Sequence, residues 1–216
     1  MEIEIRRTDD FEVTGTGSSA SWKFAEWQPL VRVGEGMSKY SAEAKVLYSD
    51  SGIYFLLNCG DRRITCTKSN DFDDIYREDV VEIFLWPDES QPLYFEYEIS
   101  PLGVELPIIV PNRDGKFFGW RPWHYEGERL IRRATSVRGG EKLPLAQIEE
   151  WTAEFFIPFA LLRAIIPAIP KPGSRWRANM YRMDYDDGKV SHWAWCPDTQ
   201  TNFHDFRNFG TFVFAE

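Results

Sequence analysis

Basic residues are in short supply: 25 Lys and Arg stand against 34 Asp and Glu, for a formal net charge of −9. Nucleic-acid binding rests on cations that neutralise phosphates, so that balance speaks against a nucleic-acid partner. It is equally poorly suited to an anionic membrane surface. Cysteine is scarce too. Cys59, Cys66 and Cys196 form no CxxC and are odd in number, which argues against a disulfide framework and a zinc knuckle. No apolar run is long enough to span a bilayer, and Met1–Arg7 lacks the apolar stretch of a secretory signal, so the chain reads as soluble. Nucleophilic catalysis has no motif either, because there is no G-x-S-x-G elbow and His124, His192 and His204 are dispersed. A neutral ligand, or a cation such as calcium, is what these absences leave open.

Aromatic residues are abundant instead. They make up 16% of the chain, with 9 Trp, 9 Tyr and 16 Phe. Flat, stiff rings pack well between pleated sheets, and surplus Trp and Tyr also make platforms on which ligands stack. At 216 residues the chain fits one sizeable domain, taken as residues 1–216.

Short β-prone runs separated by turn signals predict an all-β fold, a two-sheet antiparallel sandwich of jelly-roll or immunoglobulin-like type. Lys45–Ser49 and Ile53–Cys59 flank the turn Asp50-Ser-Gly52, and Val80–Trp86 and Tyr94–Ser100 make a second hairpin. Leu130–Val137, Trp151–Ile157, Trp176–Asp184, Val190–Trp195 and Gly210–Phe214 supply further strands. One short helix is expected over Pro158–Ala164, opened by a proline and followed by Pro167. Pro107–Trp123, rich in Pro, Gly and rings, reads as a long loop.

Alternation divides the second hairpin cleanly. Val81, Ile83 and Leu85, with Phe95, Tyr97 and Ile99, form an apolar core face. Glu82, Phe84 and Trp86, with Tyr94, Glu96 and Glu98, fall on the opposite face. Carboxylates accept hydrogen bonds from sugar hydroxyls, and rings stack on the C–H faces of a pyranose, so this face suits a polyhydroxylated ligand. The same pattern also describes the solvated side of an antiparallel sheet. Farther on, His192–Gly210 carries rings and amides on a polar loop, with Phe209 assigned to the core and Phe203 left open.

Five segments carry a resemblance: DIYREDVVEIFLWPD (74–88), YFEYEISPLG (94–103), WTAEFFIPFALL (151–162), GSRWRANMYRMD (173–184) and HWAWCPDTQTNFHDFRNFGTFVF (192–214). In this order they resemble carbohydrate-binding module family 9, in its family 9-like branch, from about Trp22 to the end. The resemblance implies a non-catalytic sandwich that holds a sugar between two rings, with acidic and amide side chains around the hydroxyls, beside enzymes that degrade polysaccharide. It places Tyr76 and Phe203 at the two clamp positions, each a smaller ring than the family's Trp. It further matches Glu82 to the family's Glu, places Gln200 at a hydroxyl-binding amide position and Tyr181 near another such position, and puts Glu96 where the family offers a hydroxyl-binding Arg. Trp86, Trp120, Trp123 and Trp195 are rings that could compensate. The resemblance also implies work outside the cytoplasm, within a larger glycan-degrading system.

No cofactor is expected apart from a structural calcium, for which Asp71, Asp73, Asp74 and Asp79 lie close in sequence; as readily, they are a solvated acidic loop. Three other readings stay open. Glu82 and Glu96 on neighbouring strands could act as a glycosidase pair, although 34 acidic residues produce such pairs by chance. An exposed aromatic face also suits a protein-interaction domain. Haem-binding sandwiches use Met and His, and Met37, Met180 and Met183 could serve there.

Overall fold

The computed structural model describes residues 1–34, 39–186, 188–197 and 202–216. Gln200 and Met37 lie outside the described residues. In chain order the strands are β1 (Glu2–Arg7), β2 (Gln28–Pro29), β3 (Val31–Val33), β4 (Ala42–Tyr48), β5 (Gly52–Gly60), β6 (Val80–Trp86), β7 (Leu93–Ile99) and β8 (Glu105–Arg113). They continue with β9 (Lys116–Phe117), β10 (Arg121–Pro122), β11 (Arg132–Arg138), β12 (Glu150–Pro158), β13 (Arg175–Asp184), β14 (Ser191–Ala194) and β15 (Gly210–Phe214). Among the described residues the single α-helix, α1 (Phe159–Leu162), follows β12 directly, inside the expected span.

Two sheets face one another. The first runs β10-β8-β7-β6-β13, and the far edge of β13 carries β15 and β14 end to end. The second runs β11-β12-β5-β4. Strand β1 joins them: its first residues pair with β15 and its last two with β4. Both of those pairings are parallel, so the sandwich is antiparallel except at this seam.

The core sits where period-2 alternation puts it. Val81, Ile83, Leu85, Phe95, Tyr97 and Ile99 meet Val46, Phe55, Leu57, Ala153 and Phe155 of the other sheet. Rings make the direct contacts between layers, with Tyr97 4.8 Å from Phe155 and Phe55 6.3 Å from Phe212. Buried aromatic surface of this kind supplies most of the drive for layer packing, at about 25 cal/mol per Å² of apolar area removed from water.

The segment expected to be a loop over Pro107–Trp123 begins as strand β8, which pairs with β7 from Leu93↔Pro111 to Ile99↔Glu105. Two prolines hide it in the sequence. The carbonyls of Pro107 and Pro111 accept from Trp123 N–H and Phe118 N–H on the outer side, so the missing proline donors also face outward. The ladder to β7 loses nothing, which is how proline is tolerated near a sheet edge.

The outer face of the second sheet is covered by the N-terminal segment, where Phe11, Val13 and Trp22 pack over Tyr54, Leu56 and Phe156. Glu154 on β12 anchors this cover. One carboxylate oxygen accepts from Thr14 N–H and Oγ1 at 2.8 Å, from Gly15 N–H at 2.7 Å and from Gly17 N–H at 3.3 Å. The other accepts from Trp22 Nε1–H at 2.8 Å. Gly17 has φ +64°, and a Cβ there would stand 2.6 Å from Leu56 Cδ2, so the close wrap requires glycine. Glu154→Ala strips the Glu154 acceptor from all five donors, leaving only the Thr14 hydroxyl with other partners, Thr16 and Ser18, and a stability loss of about 2–4 kcal/mol is expected in a thermal or urea melt. Limited proteolysis should then cut first within residues 9–25.

Candidate functional site

The outer face of the first sheet is not open to solvent. The segment Phe203–Phe209, the 3-10 turn Ile75–Arg77 and the β8–β10 excursion fold over it. Phe209 is buried here against Phe84 and Tyr94, on the outer face of the sheet and not in the core between the layers. What they leave is a cleft of about 320 Å³, lined by Tyr76, Glu82, Glu96, Glu98, Ile108, Phe117, Trp120, Met183, His192, Asn202, Phe203 and His204. A larger groove of about 550 Å³ lies beside β11, but no aromatic ring lines it.

The floor of the cleft is acidic. Glu82 and Glu98 face each other across β6 and β7, and Glu96 lies two residues before Glu98 on the same face. One oxygen from each of the three carboxyls lies within 4.8 Å of the others. All three side chains are buried, at 3%, 3% and 1% exposure for Glu82, Glu96 and Glu98. One oxygen each of Glu96 and Glu98 is buried with no hydrogen-bond partner. Burial disfavours their ionised forms: the Glu82 carboxyl is pushed up to about 8. Glu96 and Glu98 are raised well above the ordinary carboxylate range, first by burial and then by repulsion from their neighbours.

The walls are aromatic. Phe203 stacks on Tyr181 with centroids 3.9 Å apart and planes at 16°. Phe117 stacks on His204 at 4.1 Å. His204 Nδ1 is 2.5 Å from the Tyr94 hydroxyl and 3.8 Å from Glu96 Oε2. Burial lowers the His204 imidazole to about 4, so near neutral pH it is uncharged. Tyr76 is half-buried, and its carbonyl accepts from the Tyr185 hydroxyl at 2.8 Å, which ties the turn to the loop after β13.

The structure therefore brings Tyr76, Glu82, Glu96 and Phe203 to one cleft. It puts Tyr181 behind Phe203 instead of at the opening. The Tyr181 hydroxyl donates to the Phe203 carbonyl at 3.2 Å and accepts from Asn179 Nδ2 at 2.7 Å, so Tyr181 braces the ring. Trp195 is elsewhere: it shares the inward face with Trp193, is wholly buried, and packs on Phe212 between the sheets. Of the other Trp candidates, only Trp120 lines the cleft. Trp86 Nε1–H donates to Gln91 O and Trp123 Nε1–H to Leu161 O. Strand alternation alone reaches Glu98. His192 stands on β14, Phe117 on β9 and His204 in a turn, and only the assembled fold brings the three together.

The aspartates expected to gather as oxygen ligands do not. Asp71 accepts from Glu105 N–H and from Arg133, Asp74 pairs with Arg77, and Asp79 is buried under Thr65 N–H and Tyr185 N–H. Each is drawn to a different partner once the loop folds. Among the described residues, the acidic groups close enough to hold a cation are the cleft glutamates and Asp61, Asp184 and Asp186. The second group has a resident cation: Arg182 Nη2 donates to Asp61 at 2.9 Å and to Asp184 at 2.8 Å. Met180 is in the core between the sheets, and Met183 lines the cleft.

Comparison with known proteins agrees with this geometry. Residues 13–106 match the family model described as "Carbohydrate family 9 binding domain-like". A search of curated protein sequences finds no match. Among solved structures, a candidate carbohydrate-binding protein from Bacteroides uniformis superposes with a TM-score of 0.79 at 18% identity, covering 99% of both chains. A family 9 carbohydrate-binding module from Caldicellulosiruptor kristjanssonii, in complex with cellotriose, superposes with a TM-score of 0.70 at 15% identity, covering 100% of this chain and 94% of that one. The same organism's family 9 module in complex with glucose gives 0.69 at 15% identity, covering 100% and 96%. Over residues 13–106 the chain thus matches the family 9 carbohydrate-binding domain, and from end to end it has the β-sandwich fold of family 9 modules.

Proposed function

We propose that residues 1–216 act as one carbohydrate-binding domain that holds a sugar in the cleft over Glu82, Glu96 and Glu98 and does no chemistry on it. The observation that carries this reading is the pairing of an acidic floor with ring walls in a cavity large enough for a sugar unit. Rings offer their faces to pyranose C–H groups, while buried carboxyls with unused oxygens accept from hydroxyls. The kinship to sugar-bound family 9 modules supports the same reading. In this role Tyr76 and Phe203 are the stacking rings, Tyr181 braces Phe203, and Trp120 and Phe117 extend the wall. Glycan capture would then serve polysaccharide breakdown by partner enzymes.

The acidic floor is badly suited to glycoside hydrolysis. That reaction needs two carboxyls with opposed environments, one held protonated and one ionised. Here burial pushes all three in the same direction, and repulsion adds to it at Glu96 and Glu98.

Affinity electrophoresis through gels containing soluble polysaccharides tests the proposal. The protein should be retarded by at least one glycan, and Phe203→Ala and Tyr76→Ala should each weaken retention by about tenfold, the loss of about one stacked ring. Retention unchanged in both variants would remove the two rings from the site. Shortened products after incubation with the retained glycan would overturn the non-catalytic role.

A further inference from the structure

We propose that the sugar in this cleft carries a free primary ammonium group, a hexosamine unit without an N-acetyl cap, seated among Glu82, Glu96 and Glu98; this rests on the sugar-binding reading above. Three carboxyls that converge under burial keep their protons unless a positive charge joins them, and among the described residues lining the cleft there is no Lys or Arg to supply one. His204, 3.8 Å from Glu96, is the nearest nitrogen base, and burial keeps it neutral. The contrast with the second acidic group is direct, since there Arg182 already occupies the centre. In the cleft, one oxygen each of Glu96 and Glu98 is buried and unpartnered. Both side chains line a cavity that a ligand can enter.

The geometry favours an ammonium over the other cations available. An ammonium has three N–H donors, one for each carboxyl. With N–H···O contacts of about 2.8 Å in tetrahedral directions, it spans oxygens about 4.6 Å apart, and one oxygen from each of the three carboxyls lies within 4.8 Å of the others. Calcium takes six to eight oxygen ligands, whereas Ile108, Phe117, Trp120, Met183 and Phe203 present no side-chain oxygen around this floor. The same rings attract an organic cation through their faces. Neutral hydroxyls can accept and donate here, but they bring no charge that would let the carboxyls ionise. An N-acetyl group brings a neutral amide and a methyl, and no charge either.

Isothermal titration at about pH 6.5, where a sugar amine is protonated, with EDTA present, distinguishes the cases. The probes are deacetylated chitobiose, N,N′-diacetylchitobiose, cellobiose and lysine amide. Deacetylated chitobiose should bind at least about tenfold tighter than the two neutral disaccharides, the scale of one buried charge-assisted contact. Lysine amide should bind far more weakly. The Glu96→Gln/Glu98→Gln variant should bring the three disaccharides to within about twofold of one another, since the charge-assisted contact is gone. Cellobiose binding as tightly as deacetylated chitobiose overturns the ammonium assignment while the sugar-binding reading stands. So does a preference that survives the double variant. Binding of all sugars only after calcium replaces EDTA assigns the charge to a metal and overturns it too. Lysine amide matching the disaccharide makes the ligand an amine of another kind, and silence from every probe overturns both readings together.

Discussion

Arg182→Met is expected to be the most destabilising single substitution in the protein, costing about 3–5 kcal/mol near neutral pH, the scale of stranding a buried charge. Arg182 is fully buried at the end of the core, where strand alternation points it between the sheets. Its Nη1 donates to the carbonyls of Ser41 at 3.2 Å and Gly60 at 2.7 Å, and its Nη2 to Asp61 and Asp184. Its guanidinium also lies 4.9 Å from the Trp193 ring centroid. Methionine keeps much of the volume but leaves two carboxyls facing a cation that is gone. Burial pushes Asp61 up to about 8 even with Arg182 present, against about 3.9 for an unfolded Asp. Without the arginine, Asp61 holds its proton to still higher pH, so the difference between the two proteins that this group makes opens as pH rises through about 8. Chemical denaturation of both proteins from pH 5 to 9 should show the gap widening above about pH 8. Adding Asp61→Asn and Asp184→Asn to the variant should recover a large part of the loss. A gap independent of pH would show that packing, not charge, is what Arg182 supplies.

The second large effect has the opposite sign. Glu96→Gln/Glu98→Gln is expected to stabilise the free protein at pH 8–9, by about 1–2 kcal/mol for each carboxyl replaced, because each buried carboxyl without a counter-charge is costly when ionised. That is about 2–4 °C of melting temperature per kcal/mol in a chain of this size. Glu82 titrates at about 8 in the fold, and Glu96 and Glu98 are shifted in the same direction. Unfolded Glu titrates near 4.3. The folded state therefore binds more protons between those values, and the stability this group contributes is complete below about pH 4 and is lost as pH rises through about 8. Melts at pH 5 and pH 9 should differ more for the parent protein than for the variant. Destabilisation by the variant at pH 9 would mean that the carboxyls are paired in solution. A protein that gives up stability to keep three acids together in a cleft is arranged for a ligand.

Much of the fold was legible because strand alternation is a local property. Val80–Trp86 is a strand with the bounds read from the sequence, and its two faces are the ones assigned. Strand β8 was not legible, because Pro107 and Pro111 are breakers unless their missing donors happen to face outward. Strand β1 was missed because its charged residues follow from an exposed position at the junction of two sheets, which only the assembled fold defines. The cleft was half legible. Tyr76, Glu82, Glu96 and Phe203 came from one strand pair and the family resemblance, and they do share a cavity. Trp195 shows the limit: two tryptophans two residues apart share a face, and the inward face took both. Burial of the acidic face was also hidden, since part of the cover arrives from more than a hundred residues away in sequence, as His204 does over Tyr94.

The most direct test of a sugar held over the cleft glutamates is a two-dimensional ¹⁵N spectrum of the tryptophan indole N–H signals during titration with the glycan that best retards the protein. The chain has 9 Trp, and Trp120 alone lines the cleft. Its signal should move saturably, while those of Trp22, Trp151, Trp193 and Trp195, buried in the packed layers, stay in place. A saturable response at Trp27 with Trp120 unmoved, or the same Trp120 shift in Phe203→Ala and Tyr76→Ala, would contradict the account.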